Sequence, residues 1–291
     1  MNLSLLINPG NPSAVSAIRE FMTLAGNMGF TLHINRHTYN QFPGDACPSH
    51  LHLHDTDHET LIQGEITVAV GGDGTILRAA DLVRTVGHPL LGINSGKLGF
   101  LANIQRQSME TALQAIKNGT YELDKRNFIQ AEFSNGEIHY ALNEFVFSRK
   151  GTVSMITLTA EYDGAFINRY WADGIIVSSP TGSTAYNLST GGPIVVPQTH
   201  VMVLTPISPH TLTTRPLVLP SQKSLTIKVE PIDQEVLFSG DGNNHELPGQ
   251  SPVVNIRQSD QDIQLIKLSG QSYFETLRSK LMWGADVRDK N

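Results

Sequence analysis

Near residue 125 the hydropathy pattern of this chain changes period, and that change limits its fold more than any other feature. Before it, short apolar runs alternate with stretches of helical spacing. Residues 3–7 read as a strand, and residues 13–28 carry Val15, Ile18, Met22 and Ala25 at helical spacing before Gly29. Strands follow at 30–34, 66–70 and 89–93, with a helix over 76–86. Strands alternating with helices imply a parallel α/β layer. After residue 125 the helical signal nearly vanishes. FIQAEFSNGEIHYALNEF reads as a hairpin with Asn135-Gly136 as a two-residue turn. That turn sets Phe133 opposite Ile138, Ala131 opposite Tyr140 and Ile129 opposite Leu142, so one apolar face forms. A second hairpin turns at Asp163-Gly164. Strands are expected at 224–229, 235–239, 253–257 and 263–268, and a closing helix at 272–283. The second half is therefore mostly antiparallel β.

A chain of 291 residues is long for one core and natural for two domains. Its net charge of −6 offers no basic face, so nucleic acid is not an expected partner. No apolar run approaches the ~18 residues of a membrane span, so no membrane association is expected. A single cysteine, Cys47, excludes a disulfide framework, and its loop, PGDACPS, gives it no evident chemistry. The start, MNLSLLINPG, lacks a basic n-region and reads as a first strand, not a signal peptide. These features point to the cytoplasm.

The stretch with most chemistry is ITVAVGGDGTILRAADLV, residues 66–83. A strand runs into Gly71-Gly72-Asp73-Gly74, and a helix follows. Such a junction presents free backbone N–H groups at a positive dipole end, which is an anion site. There is no G-x-x-x-x-G-K-[ST] motif, because Gly96-Lys97 is followed by Leu98, and residues 72–77 do not match G-x-G-x-x-G. Asp73 would repel a phosphate placed directly on it. It suits a nucleophile's proton or a cation bridging phosphates. Taken alone, the turn is equally well a tight connection with Asp73 as helix N-cap.

GGDGT after a strand resembles the signature shared by diacylglycerol and sphingosine kinases and the NAD kinases, and phosphofructokinases carry a related GGDG. Three further stretches choose among them. GINSGKLGFL (92–101) resembles the NAD kinase G-I-N-x-G-x-L-G-F-L, and Asn143-Glu144 its N-E motif. DGIIVSSPTGSTAYNLSTGGPIV (173–195) resembles its long signature, with Ser179 where threonine is usual. By this resemblance the chain is identified as a member of the NAD kinase family. The resemblance implies an α/β domain over 1–122, an all-β antiparallel two-sheet domain over 123–270, and a 271–291 helix and tail packing back on the first. It also implies transfer of the γ-phosphoryl group of ATP to the 2′-hydroxyl of the adenosine ribose of NAD. Self-association as dimer or tetramer is implied too. Mg²⁺ is expected because both substrates and the protein are anionic, so a cation must neutralise the transferring group.

The resemblance makes Asp73 the catalytic residue, accepting the ribose hydroxyl proton. Gly71, Gly72, Gly74 and Thr75 would shape the loop and offer N–H groups to phosphate, and Arg78 would reach phosphate oxygens unless it only coats a solvated helix face. Parity along the first hairpin puts Glu144 on the face of Ile138, Tyr140 and Leu142, a core-facing carboxylate in need of a partner. Two carboxylate oxygens suit a vicinal ribose diol. Asn143 points the other way, with an amide suited to an adenine edge. Thr184, Ala185, Tyr186, Asn187, Leu188 and Ser189 would bind ribose and base, with Tyr186 stacking on the ring. By family analogy Asp173 lies near the nicotinamide amide, and Ser154, Trp171 and Asn243 lie near the ligand. Asp241-Gly242-Asn243 departs from the more usual D-x-Q.

The tract HLHLHDTDH (50–58) nearly resembles a zinc hydrolase motif but has one residue too many before Asp57-His58. It reads as a polar connection between strands, and no protein metal site is expected. Two rivals differ in what they would do. A lipid kinase would carry a G-T-x-N-D-like motif where this chain has residues 92–101, and would phosphorylate sphingosine. A non-catalytic dinucleotide sensor has no need of Asp73 and would bind NAD without turnover.

Overall fold

The computed structural model of the chain describes residues 1–42, 47–96, 99–151, 154–230, 236–249 and 251–283. Lys97 and Leu98 of the 92–101 stretch, Glu235 of an expected strand, residues 43–46 beside Cys47 and the end of the expected tail lie outside them. The chain divides into two compact units, residues 1–125 with 263–291, and residues 126–262.

The first unit is a parallel sheet with helices. Its strands are Asn2–Ile7 (β1), Thr31–Asn35 (β2), Leu51–His54 (β3), Ile66–Gly71 (β4) and Leu90–Asn94 (β5), in the order β3-β2-β1-β4-β5. Every residue of β4 and β5 is buried, as expected of strands covered on both faces. Helices Pro12–Asn27 (α1), Arg36–Tyr39 (α2), Asp57–Leu61 (α3), Asp73–Arg84 (α4) and Met109–Asn118 (α5) complete it, with a short strand Ile104–Gln105 (β6) beside β5. Asn11 starts α1 by accepting from the N–H groups of Ser13 and Ala14, and Pro12 occupies the first turn. The helix buries Ala14, Ala17, Ile18, Phe21, Met22 and Ala25 against the sheet.

Two expectations change here. Helix α4 begins at Asp73, not at residue 76, so the glycine-rich turn is the helix's own first turn. The histidine tract is not a loop. Leu51 and Leu53 pack toward the core of α1, while His52 and His54 share the opposite face with His33 of the neighbouring strand. Alternation of leucine and histidine was a strand signal, masked by the polarity of the histidines.

The second unit is antiparallel β. The strands after β6 are Glu122–Phe133 (β7), Ile138–Ala141 (β8), Glu144–Arg149 (β9), Ile156–Tyr162 (β10), Ala165–Ala172 (β11), Gly174–Ser178 (β12), Val201–Ile207 (β13), Leu217–Pro220 (β14), Leu225–Val229 (β15), Val236–Gly240 (β16), Asn243–His245 (β17) and Val253–Lys267 (β18). One sheet of this unit runs β14-β13-β12-β9-β16-β17. Strands β11, β10 and β15 and the start of β18 line up antiparallel in another. Phe145, Phe147, Ile175, Val177 and Phe238 from the first sheet share a core with Leu158, Ile227 and Ile256 from the other. Helix Tyr186–Ser189 (α6) follows β12, and helix Tyr273–Leu281 (α7) belongs to the first unit. Among the described residues no helix is long and apolar enough to cross a membrane.

The second hairpin turns at Asp163-Gly164 as expected, both residues with positive φ. The first differs. Phe133 N–H bonds to the carbonyl of Glu137, and Gly136 takes φ of +85°, so the loop has three residues rather than two. The register moves by one: Glu132 faces Ile138, Ala131 faces His139, Gln130 faces Tyr140 and Ile129 faces Ala141. Ile138 is exposed, and the parity argument for Glu144 fails. Strand alternation restarts at β9, where Phe145 and Phe147 take the core face. The expected strands at 253–257 and 263–268 are one strand, β18. Its polar middle, 258–262, lies where the chain leaves one unit's core for the other's, so neither core demands apolar side chains there.

Candidate functional site

In the first unit Gly72 is the N-cap of α4 and supplies no side-chain hydrogen bond; its carbonyl takes the Thr75 and Ile76 N–H groups, which leaves those of Asp73 and Gly74 available at the start of a twelve-residue helix among the described residues. Gly72 and Gly74 are exposed. Asp73 is the first helical residue, and its carboxylate is engaged. Oδ2 accepts from the Phe100 N–H at 2.9 Å, and Oδ1 from the N–H groups of Leu101 and Ala102 at 3.0 and 3.1 Å. A Cβ at Gly99 would meet Oδ1 at 1.9 Å, so this approach requires glycine. The 92–101 stretch thus ends in a backbone loop strapped by Asp73 to the start of α4. From α7 the Lys280 ammonium lies 3.8 Å from Asp73 Oδ2 and 5.1 Å from the centre of the Phe100 ring.

Arg78 is not turned to this carboxylate. Five residues along a helix rotate a side chain by about 140° from its starting direction. Its guanidinium lies 3.7 Å from Asp57, on a cleft of about 260 Å³ also lined by His37, Gln41 and Thr75.

In the second unit the chain breaks between β8 and β9 at Leu142-Asn143, and Asp241 holds the break. Its carboxylate accepts from the N–H groups of Leu142, Asn143 and Glu144 at 2.7, 2.8 and 3.1 Å, and its own N–H bonds to the Glu144 carbonyl. Asp241 has φ of +49°. Sequence reasoning passed over Asp241, although an Asp-Gly pair at a strand end signals such a turn. Phe100 lies inside the 92–101 motif but was given no role, and Lys280 was missed with no local pattern to mark it.

Glu144 reaches a low-water environment by another route than parity. Its pKa is pushed up to about 8, first by burial and then by the charge of Asp241, while a backbone hydrogen bond from Tyr186 pulls it back in part. Oε2 is buried with no hydrogen-bond partner among the described residues. The segment after β12 folds onto this turn: the Ser179 N–H bonds to the Asn143 carbonyl at 2.8 Å, and its hydroxyl donates to the Leu142 carbonyl. Asn143 is buried and shapes the turn through its main chain.

The other expected residues divide. Tyr186 and Ser189 are exposed, Thr184, Ala185 and Leu188 are half-buried, and Tyr186 lies next to Glu144. Asn187 is fully buried and spent on its own fold, donating to the carbonyls of Ser183 and Pro193 and accepting from the Thr205 hydroxyl. Asp173 is ion-paired to Arg149 at 2.7 Å. Trp171 is exposed and packs against His210, with ring centres 4.3 Å apart and the rings tilted by 36°. Ser154 is exposed beside residues outside the description, and Asn243 is exposed at the start of β17. The structure brings together Asn143, Glu144, Tyr186 and Asp241.

Comparison with known proteins matches residues 4–121 to the ATP-NAD kinase N-terminal domain and residues 142–268 to the ATP-NAD kinase C-terminal domain. A protein named NAD kinase from Flavobacterium johnsoniae is 43% identical over 268 residues, 90% of this chain and 87% of that protein. Another, from Moorella thermoacetica, is 40% identical over 79% of this chain and 75% of its own length. Among solved structures, a yeast NADH kinase complexed with NADH aligns with a TM-score of 0.91 at 22% identity, over 100% of this chain and 90% of that one. An Archaeoglobus fulgidus NAD kinase in complex with ATP aligns with a TM-score of 0.73 at 24% identity, over 97% and 99%. At these identities the structural likeness speaks for the fold.

Proposed function

The chain belongs to the NAD kinase family, and from that premise we infer its reaction: the γ-phosphoryl group of ATP passes to the 2′-hydroxyl of the adenosine ribose of NAD, giving NADP and ADP. It is a phosphotransferase acting on an alcohol. The observation that carries this reading in the geometry is Glu144, a buried acid with one oxygen unpartnered. A buried acceptor without a donor is costly, and a vicinal diol offers two O–H donors to such a group. Asn143 and Tyr186 beside it suit an adenine edge and its face.

Phosphates suit the uncapped start of α4, where exposed Gly72 and Gly74 leave the backbone accessible. Asp73 serves as proton acceptor. A carboxylate has about four lone-pair sites, and three N–H groups fill all but one of them. The vacancy is on Oδ2. As the bond from phosphorus to the leaving ADP oxygen lengthens, the ribose oxygen attacks in line and its proton passes to that site. Asp173 and Trp171 serve the nicotinamide end in this reading, with Ser154 and Asn243 at its rim.

Magnesium would be held chiefly by the phosphates of the nucleotide. Among the described residues no group of three or more His, Cys, Asp or Glu side chains forms a metal site. When bound, the ion neutralises phosphate charge. We also propose a homo-oligomer, dimer or tetramer, in the cytoplasm. Light scattering on the purified chain tests the first, and cell fractionation the second. The test of the reaction is NADP formation from NAD and MgATP by the purified chain. Absence of NADP, with NAD still bound, overturns it in favour of a sensor.

A further inference from the structure

A phosphoryl transfer needs cationic charge at the transferring group, and this chain has no P-loop lysine to supply it. The helix start offers partial positive charge but also carries the full negative charge of Asp73. Arg78 is drawn off to Asp57. Among the described residues Lys280 is the only cation in ion-pair range of Asp73.

Its setting is informative. Asp73 does not need Lys280 for hydrogen bonding, since three backbone N–H groups already serve it. At 3.8 Å the ammonium is too far for a hydrogen bond, and it donates none among the described residues. All three of its protons are therefore uncommitted. The position is nevertheless fixed. Leu277, one turn earlier on α7, is buried, and Tyr273 and Lys280 both lie against the Phe100 ring. Phe100 is in turn the residue whose N–H binds Asp73 Oδ2, the oxygen with a vacant lone pair. A cation with spare donors is thus held beside the one free acceptor site of Asp73, with both side chains 30% exposed and so weakly screened.

We propose that Lys280 is a phosphate-binding residue: it offsets the charge of Asp73 in the resting protein and binds an oxygen of the transferring phosphoryl group during the reaction. This rests on the kinase reading above. The bond between phosphorus and the ADP oxygen breaks, the bond to the ribose oxygen forms, and the hydroxyl proton goes to Asp73. Lys280 stays protonated throughout.

The test uses the full chain with Lys280→Met, which keeps the apolar stem, and Lys280→Arg. Thermal unfolding, kcat, KM for NAD, and calorimetric binding of inorganic tripolyphosphate are measured for each. With Lys280→Met, kcat falls by roughly 10²-fold while KM for NAD moves less than about threefold, the pattern of a lost transition-state contact. Tripolyphosphate binding weakens about tenfold, a typical loss for one charged contact. Lys280→Arg recovers part of both. A Lys280→Met protein that keeps kcat, or that loses it with a lowered melting temperature and unchanged tripolyphosphate binding, overturns the proposal, because Lys280 then only anchors α7. If the parent makes no NADP, the kinase reading fails separately. The phosphate-binding role then stands or falls on tripolyphosphate alone.

Discussion

Asp241 both positions Glu144 and opposes its ionisation: one carboxylate oxygen accepts the Glu144 N–H at 3.1 Å, while the same charge, after burial, raises the Glu144 pKa to about 8. Between the ordinary value of 4.5 and about 8, the folded chain holds a proton on Glu144 that the unfolded chain has lost. Stability therefore falls as pH rises through that window and levels above it. Glu144→Gln removes the dependence. It melts higher than the parent at pH 8.5, by about 3 °C or more, and together with it near pH 4.5. The same variant loses NAD affinity, so a melting curve and a binding isotherm at two pH values check both halves.

Asp241→Asn separates the two roles of that residue. The amide keeps one acceptor oxygen and tolerates positive φ, but carries no charge. The Glu144 titration, followed as the pH dependence of NAD binding, moves to lower pH. Asp241→Ala instead leaves three N–H groups unserved and lowers unfolding free energy by about 2 kcal/mol or more, measured in urea.

Gly99→Ala places a methyl group where the Asp73 carboxylate now sits, at 1.9 Å from Oδ1. Either the carboxylate or the loop must shift. The expected result is a kcat loss of roughly 10²-fold for a displaced catalytic group, with a lowered melting temperature as well, because Gly99 is buried and overpacking there costs about 1–3 kcal/mol.

Asp73→Asn removes the proton acceptor and also one acceptor of the loop strap, because the amide nitrogen cannot receive the Phe100 N–H. NADP formation drops by at least ~100-fold, the scale for losing a general base. Retained activity would strip Asp73 of that role and leave it as a strap.

His33 predicts a dependence of opposite sign. Burial, and then the neighbours His54 and His52, push its pKa down to about 4 from 6.5. Between these values the unfolded chain binds a proton that the folded chain does not, so stability rises with pH across that window and is lost as pH falls through it. His33→Asn flattens the acid limb of a melting-temperature profile measured from pH 4 to 7.

Much of this architecture was legible because strand–helix alternation and hairpin turns are local signals. The β4–α4 junction, the Asp163-Gly164 turn and the cap of α7 at Ser272 are each written in a few neighbouring residues. What escaped depends on partners distant in sequence. The register of the first hairpin hung on whether Ser134 joined the turn, and one residue changes every face. The strap from Asp73 spans 27 to 29 positions, that from Asp241 97 to 99, and the approach of Lys280 to Asp73 more than two hundred. No periodicity carries such distances. Asp73 and Glu144 were singled out as functional from their motifs, but the engagement of the first and the environment of the second came only from tertiary structure. The histidine tract was misjudged for a different reason: composition was read where alternation should have been.

The first unit is discontinuous, and this bears on how the protein is made. Residues 126–262 form an uninterrupted segment that leaves the ribosome as a complete set of strands. The sheet containing β4 waits for residues 263–291 to add its last strand and α7. Asp73 is translated more than two hundred residues before Lys280. A nascent or prematurely terminated chain therefore carries the aspartate without its counter-charge, and translation itself sets the moment at which the phosphate-handling turn is complete.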